Sequence, residues 1–114
     1  MKFVALAAIV AALAVPAVGG AGTTKLVGTV GPGFTISLTQ GGKTVSKLKA
    51  GTYTISVQDK SNIHNFHLKG PGVDKKTSVG AVKTTTWKVT LKKGKYTYVC
   101  DPHATSMKGS FSVS

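Results

Sequence analysis

Apolar residues recur at every second position in run after run of this chain, and no stretch keeps a helical spacing. Phe34, Ile36 and Leu38 alternate with Thr35, Ser37 and Thr39, and Tyr53, Ile55 and Val57 with Thr52, Thr54 and Ser56. Trp87, Val89 and Leu91 alternate with Thr86, Lys88 and Thr90. Tyr96 and Tyr98 lead on the same parity to Cys100, and Phe111 and Val113 close the chain. Successive side chains of a strand point to opposite faces, so each run makes a strand with one apolar side. Gly31-Pro32-Gly33, Gly41-Gly42, Ala50-Gly51, Gly70-Pro71-Gly72 and Lys93-Gly94 lie between the runs as turn signals. One-sided strands must bury that side against a second layer. The pattern therefore predicts an all-β fold, a two-sheet antiparallel sandwich. Val73 to Lys83 is the least strand-like stretch and reads as a long connecting loop.

The first residues stand apart from this pattern. Met1-Lys2 is a short positive start, Phe3 to Val18 is almost wholly apolar, and Pro16 and then Gly19-Gly20-Ala21-Gly22 end the run. That is the layout of a secretory signal peptide over residues 1–21, cut near Gly19 to Ala21. The expected domain is then 22–114, exported to the periplasm or the outside. A retained segment would instead leave it attached to the membrane, although the run is short for the roughly 17–25 residues of a span. No cysteine lies directly after the segment, which argues against a lipid anchor there.

The mature chain is small, and exported small domains often depend on disulfides. Cys100 is the one cysteine, so no bridge forms within the chain, and a free thiol in an oxidising compartment is a liability unless something uses it. Charge is lopsided: the fifteen basic residues are all lysines, and Asp59, Asp74 and Asp101 are the only acids. Nucleic-acid binders are often this basic. Export, and the absence of the arginine that best contacts phosphate and bases in pairs of hydrogen bonds, argue against that class. An acidic protein partner, an anionic membrane or a cell-wall polymer fits the charge better, as does a merely soluble surface.

Cys100-Asp101-Pro102-His103-Ala104-Thr105-Ser106-Met107 brings a thiolate, an imidazole and a thioether into eight residues. Taken singly, each has an ordinary structural explanation. Together they fit a short loop wrapped around one ion, with Pro102 restricting the backbone. Zinc competes for Cys and His, but methionine is a poor zinc ligand, and a long axial Met beside His2Cys suits copper. A second histidine is needed. If residues 62–68 are a strand, His64 shares a face with Phe66 and Leu68, while Asn65 and His67 take the other face. That parity favours His64 over His67.

These residues resemble the cupredoxins, the small blue copper proteins that include plastocyanin, amicyanin and pseudoazurin. The likeness rests on His64-Asn65 and on Tyr-x-Cys-x-Pro-His-(x)3-Met-x-Gly-x-Phe-x-Val from Tyr98 to Val113. It implies a Greek-key sandwich and one copper per chain, with His64, Cys100 and His103 as strong ligands and Met107 as the weak axial one. It also implies that Asn65 hydrogen-bonds toward the cysteine loop and that His103 lies nearest solvent. The chain departs from the family in two places: three residues separate His103 from Met107, and Asp101 follows the cysteine where Ser or Thr is common.

The function so implied is single-electron transport between protein partners by a monomer, without catalysis on a substrate. A copper carrier or buffer would use the same ligands without passing electrons. A metal-free adhesion module would use only the lysines and would keep its fold after Cys100→Ala.

Overall fold

The structure, a computed structural model, describes residues 23–114. The expected signal peptide lies outside the described residues. Strands β1 (Thr24–Val30), β2 (Ile36–Gln40), β3 (Lys43–Thr44), β4 (Lys47–Leu48) and β5 (Gly51–Asp59) form the first half. Strands β6 (His67–Gly70), β7 (Val73–Lys76), β8 (Thr84–Leu91), β9 (Gly94–Val99) and β10 (Lys108–Val113) follow, with a 3-10 turn over Asp101–His103. One sheet has the order β4-β10-β9-β6-β7 and the other β3-β2-β1-β5-β8.

Alternation does what the sequence predicts within a strand. Along β5, Tyr53, Ile55, Val57 and Asp59 are buried and the residues between them are more exposed. Along β9, Tyr96 and Tyr98 turn inward. The Tyr96 ring lies parallel to Phe111 with centroids 5.2 Å apart, and Tyr98 stacks on Phe66 at 5.5 Å. The buried Tyr96 hydroxyl accepts the Lys92 N–H and donates to the Lys92 carbonyl, both at 2.8 Å, so its polar end is satisfied.

The strand directions differ from expectation. An antiparallel sandwich was expected, but both sheets are mixed: β1 runs parallel to β5, and β4 parallel to β10. The chain leaves β1, makes the β2–β3 hairpin, crosses to the other sheet as β4 and returns as β5 alongside its starting strand. Parallel pairing needs such a long crossover, and nothing in the alternation of a single strand reports it.

Two other elements also differ. The alternating runs omit β1, because its inward positions are Leu26, Gly28 and Val30, and a glycine interrupts the apolar rhythm. A Cβ on Gly28 would lie 2.9 Å from Phe66 Cζ, so the missing side chain makes room for that ring. Val73 to Lys83 is not all loop, since Val73–Lys76 pairs with His67–Gly70 as an edge strand.

Candidate metal centre

Contacts among four loops build one end of the sandwich. The Asp59 N–H donates to the Lys83 carbonyl, Thr77 N–H to the Phe66 carbonyl, and Gly31 N–H to the Thr35 carbonyl. The segment after β9 closes on itself: Cys100 N–H donates to the Met107 carbonyl at 3.0 Å, and Met107 N–H to the His103 carbonyl at 2.8 Å. That ring of hydrogen bonds keeps Cys100, His103 and Met107 in one compact turn.

His64 does not sit on a strand. β6 begins only at His67, so His64, Asn65 and Phe66 precede the ladder outside any strand. His64, Phe66 and Leu68 are fully buried, as the parity argument required. Asn65, expected on the opposite face, is buried too. Outside the ladder that face is covered by the loops that carry Thr77 and Asp101.

His64 Nδ1 lies 3.6 Å from Cys100 Sγ, His103 Nδ1 lies 3.5 Å from the same sulfur, and the two nitrogens are 3.2 Å apart. A triangle with these edges has its centre about 2 Å from each corner, close to the length of a bond from a metal to imidazole nitrogen or thiolate sulfur. Among the described residues this is the one group of three His, Cys or acidic side chains close enough to share an ion. His64 and Cys100 are inaccessible to solvent and His103 is half-buried. Met107 is buried in the same turn. Two imidazoles, a thiol and a nearby thioether are donors suited to copper.

Phe34 was expected to point inward with Ile36 and Leu38, but β2 starts at Ile36 and Phe34 lies in the preceding loop, 61% exposed. Its ring meets His64 edge-on at 5.0 Å and His103 at 4.9 Å, completing a triangle with the two imidazoles, themselves 4.9 Å apart. The ladder between β1 and β2 opens with Val30 opposite Ile36, and the Gly31 N–H closes the connecting loop on the Thr35 carbonyl, which leaves Phe34 within that loop.

A hydrogen-bonded clasp ties the cysteine turn to the β6–β7 hairpin. Asn65 Nδ2 donates to Asp101 Oδ2 at 2.8 Å, and the Asp101 N–H donates to Asn65 Oδ1 at 2.8 Å. His67, which parity sent to the outer face, has Nδ1 2.8 Å from Asp101 Oδ1 and Nε2 2.6 Å from Asp74 Oδ1. Burial pushes the Asp101 carboxyl up, but the hydrogen bonds from His67 and Asn65 outweigh it and leave the group below the ordinary carboxylate value. The His67 hydrogen bond likewise holds Asp74 low. Asp101 is thus the residue that lets one side chain serve Asn65 and His67 together.

Residues 42–114 match the family described as copper binding proteins, plastocyanin/azurin family. Reduced rusticyanin superposes with a TM-score of 0.61 at 26% identity, covering 81% of this chain and 79% of that one. A methionine-to-glutamine variant of rusticyanin gives 0.60 at 26%, covering 81% and 78%. Rusticyanin from Thiobacillus ferrooxidans gives 0.56 at 27%, covering 81% and 77%. No curated protein sequence matches.

Proposed function

Because this chain belongs to the plastocyanin/azurin family of copper-binding proteins, we propose that it is an exported blue copper protein carrying single electrons, its one copper held by His64, Cys100, His103 and, weakly, Met107. Members of this family pass electrons to redox partner proteins and are not enzymes. The observation that carries the reading is the triangle of His64 Nδ1, Cys100 Sγ and His103 Nδ1. When bound, copper supplies the Cu(II)/Cu(I) couple.

The chain's own residues do the rest. The closed turn from Cys100 to Met107 and the burial of His64 constrain the donors to one arrangement, which would lower the rearrangement each transfer requires. Cys100 continues directly from β9 and so offers a covalent path into a central strand of its sheet. His103 is the least buried of the three and the port through which electrons would enter and leave. The exposed lysines would raise the rate of meeting an acidic partner more than they tighten its binding. Domain 22–114 would act in the periplasm or outside the cell after removal of residues 1–21.

The experiment is the visible spectrum of residues 22–114 titrated with Cu(II). An intense blue thiolate-to-copper band saturating at one copper per chain, and lost in Cys100→Ser, is the expected result. A colourless protein, or only the faint band of oxygen and nitrogen ligation, would sink the proposal. A blue protein with no reversible potential would point instead to a copper carrier.

A further inference from the structure

His64 turns Nδ1 toward Cys100 Sγ and His103 Nδ1. A neutral imidazole that gives its Nδ1 lone pair to a metal carries its proton on Nε2. That Nε2 is buried and has no hydrogen-bond partner. An N–H left this way costs free energy, and ligand histidines nearly always donate their second nitrogen to something.

Among the described residues one other buried side-chain polar atom lacks a partner, and it is Asp59 Oδ2. Asp59 ends the inward row of β5 and is 3% exposed. Its Oδ1 accepts the Ser61 N–H at 3.0 Å, which leaves Oδ2 uncommitted. The turn it caps lies near the imidazole. Gly31 sits between them at φ +73°, and a Cβ there would be 2.9 Å from Ser61 Cβ and 3.3 Å from His64 Cδ2. Cδ2 is the ring carbon bonded to Nε2, so the edge of the ring that carries the orphaned nitrogen borders the Gly31–Ser61 wall. Burial pushes the Asp59 carboxyl up, and the Ser61 N–H and the nearby His64 partly offset that.

We propose that Asp59 is a positioning residue for His64, its free oxygen accepting the Nε2 proton through one enclosed water. Buried waters commonly join polar groups that find no direct partner. A carboxylate at this position fixes the tautomer and the ring plane, and it makes Nδ1 a stronger donor. The stronger donor favours Cu(II) over Cu(I). Asp59 therefore lowers the reduction potential without touching the metal.

The inference rests on the reading of His64 as a ligand, and the test separates the two. Asp59→Asn keeps the shape and the oxygen that caps Ser61 but removes the charge, and Asp59→Leu removes both. The readouts are apo-protein melting, the His64 Nε2 proton resonance in the Cu(I) form, Cu(II) affinity and the reduction potential. In Asp59→Asn the expected results are an intact fold, a shifted and faster-exchanging Nε2 proton, and Cu(II) affinity weaker by about 10–100-fold. Each tenfold loss confined to Cu(II) raises the potential by about 59 mV. An unmoved Nε2 resonance and potential in a blue Asp59→Asn protein would overturn the role of Asp59, leaving a backbone carbonyl such as that of Lys60 as the acceptor. A wild-type protein that never turns blue would instead remove the ligand reading itself. Should Asp59→Leu fail to fold, Asp59→Asn carries the test alone.

Discussion

Phe34 keeps more than half of its ring in solvent, so burying it contributes little to stability, yet it touches both imidazoles of the candidate site. Phe34→Ala should change the unfolding free energy of the apo-protein by no more than about 0.5 kcal/mol, as for other surface substitutions. In the copper-loaded protein it should lower the reduction potential, because water reaching the imidazoles stabilises the more highly charged Cu(II) state. An unchanged potential would mean that the ring shields nothing. Phe66 is the contrasting case: fully buried and stacked on Tyr98, it should cost about 3–5 kcal/mol when truncated to alanine, measured by urea unfolding. Both phenylalanines sit on the apolar parity of their segments. The sequence could not separate them, because parity names a face and not the point where a strand starts.

The β6–β7 hairpin and the cysteine turn are adjacent elements joined by side chains more than by the ladder. His67 spans them, between Asp101 on the turn and Asp74 on β7. A double-mutant cycle with His67→Gln and Asp101→Asn should return a coupling of about 0.5–3 kcal/mol, near the lower end because Asp101 is partly exposed. Asp74 gives the clasp a pH dependence. The His67 hydrogen bond holds its folded pKa below the ordinary 3.8, so the unfolded chain takes up the proton first as pH falls. The stability it contributes is fully present above about pH 4 and is lost as pH drops through the depressed folded value. Unfolding measured in steps below pH 5 should show this decline, and His67→Gln should flatten it. None of the clasp could be read from spacing, since Asp74, His67 and Asp101 come from three segments. Only Asn65 pointed toward it, through family resemblance, and its hydrogen bonds to Asp101 run as that resemblance implied.

Across the whole molecule the lysines are divided unevenly between the two outer faces. Register places Lys47 opposite Ser112, which lies opposite Lys95, and places Lys69 opposite Thr97, Lys108 opposite Val99 and Lys76 opposite His67. All five lysines share the outer face of the sheet that contains β9. The other sheet shows mostly hydroxyls there, in pairs such as Thr52 with Thr90 and Ser56 with Thr86, along with Lys25 and Lys88. Electron exchange with anionic hexacyanoferrate should therefore slow as salt rises, over the range where the Debye length falls below about 10 Å. Lys69→Glu with Lys95→Glu should reduce that rate more than Lys25→Glu with Lys88→Glu; equal effects would mean that the net positive charge acts as a whole.

The amino-acid order by itself determined which residues face the core within the strands that alternation marks, such as β5 and β9, because the side-chain period of two is a local property of the backbone. It also determined the donor chemistry, since one thiol and a closely spaced His and Met restrict the metal. The tertiary structure decided what depends on segments far apart in the chain. It made β1 parallel to β5, carried Phe34 out of the core onto two imidazoles, and set His67 between two carboxylates. Each of those outcomes follows from how loops close and strands cross over, and loop closure is a property of the assembled chain.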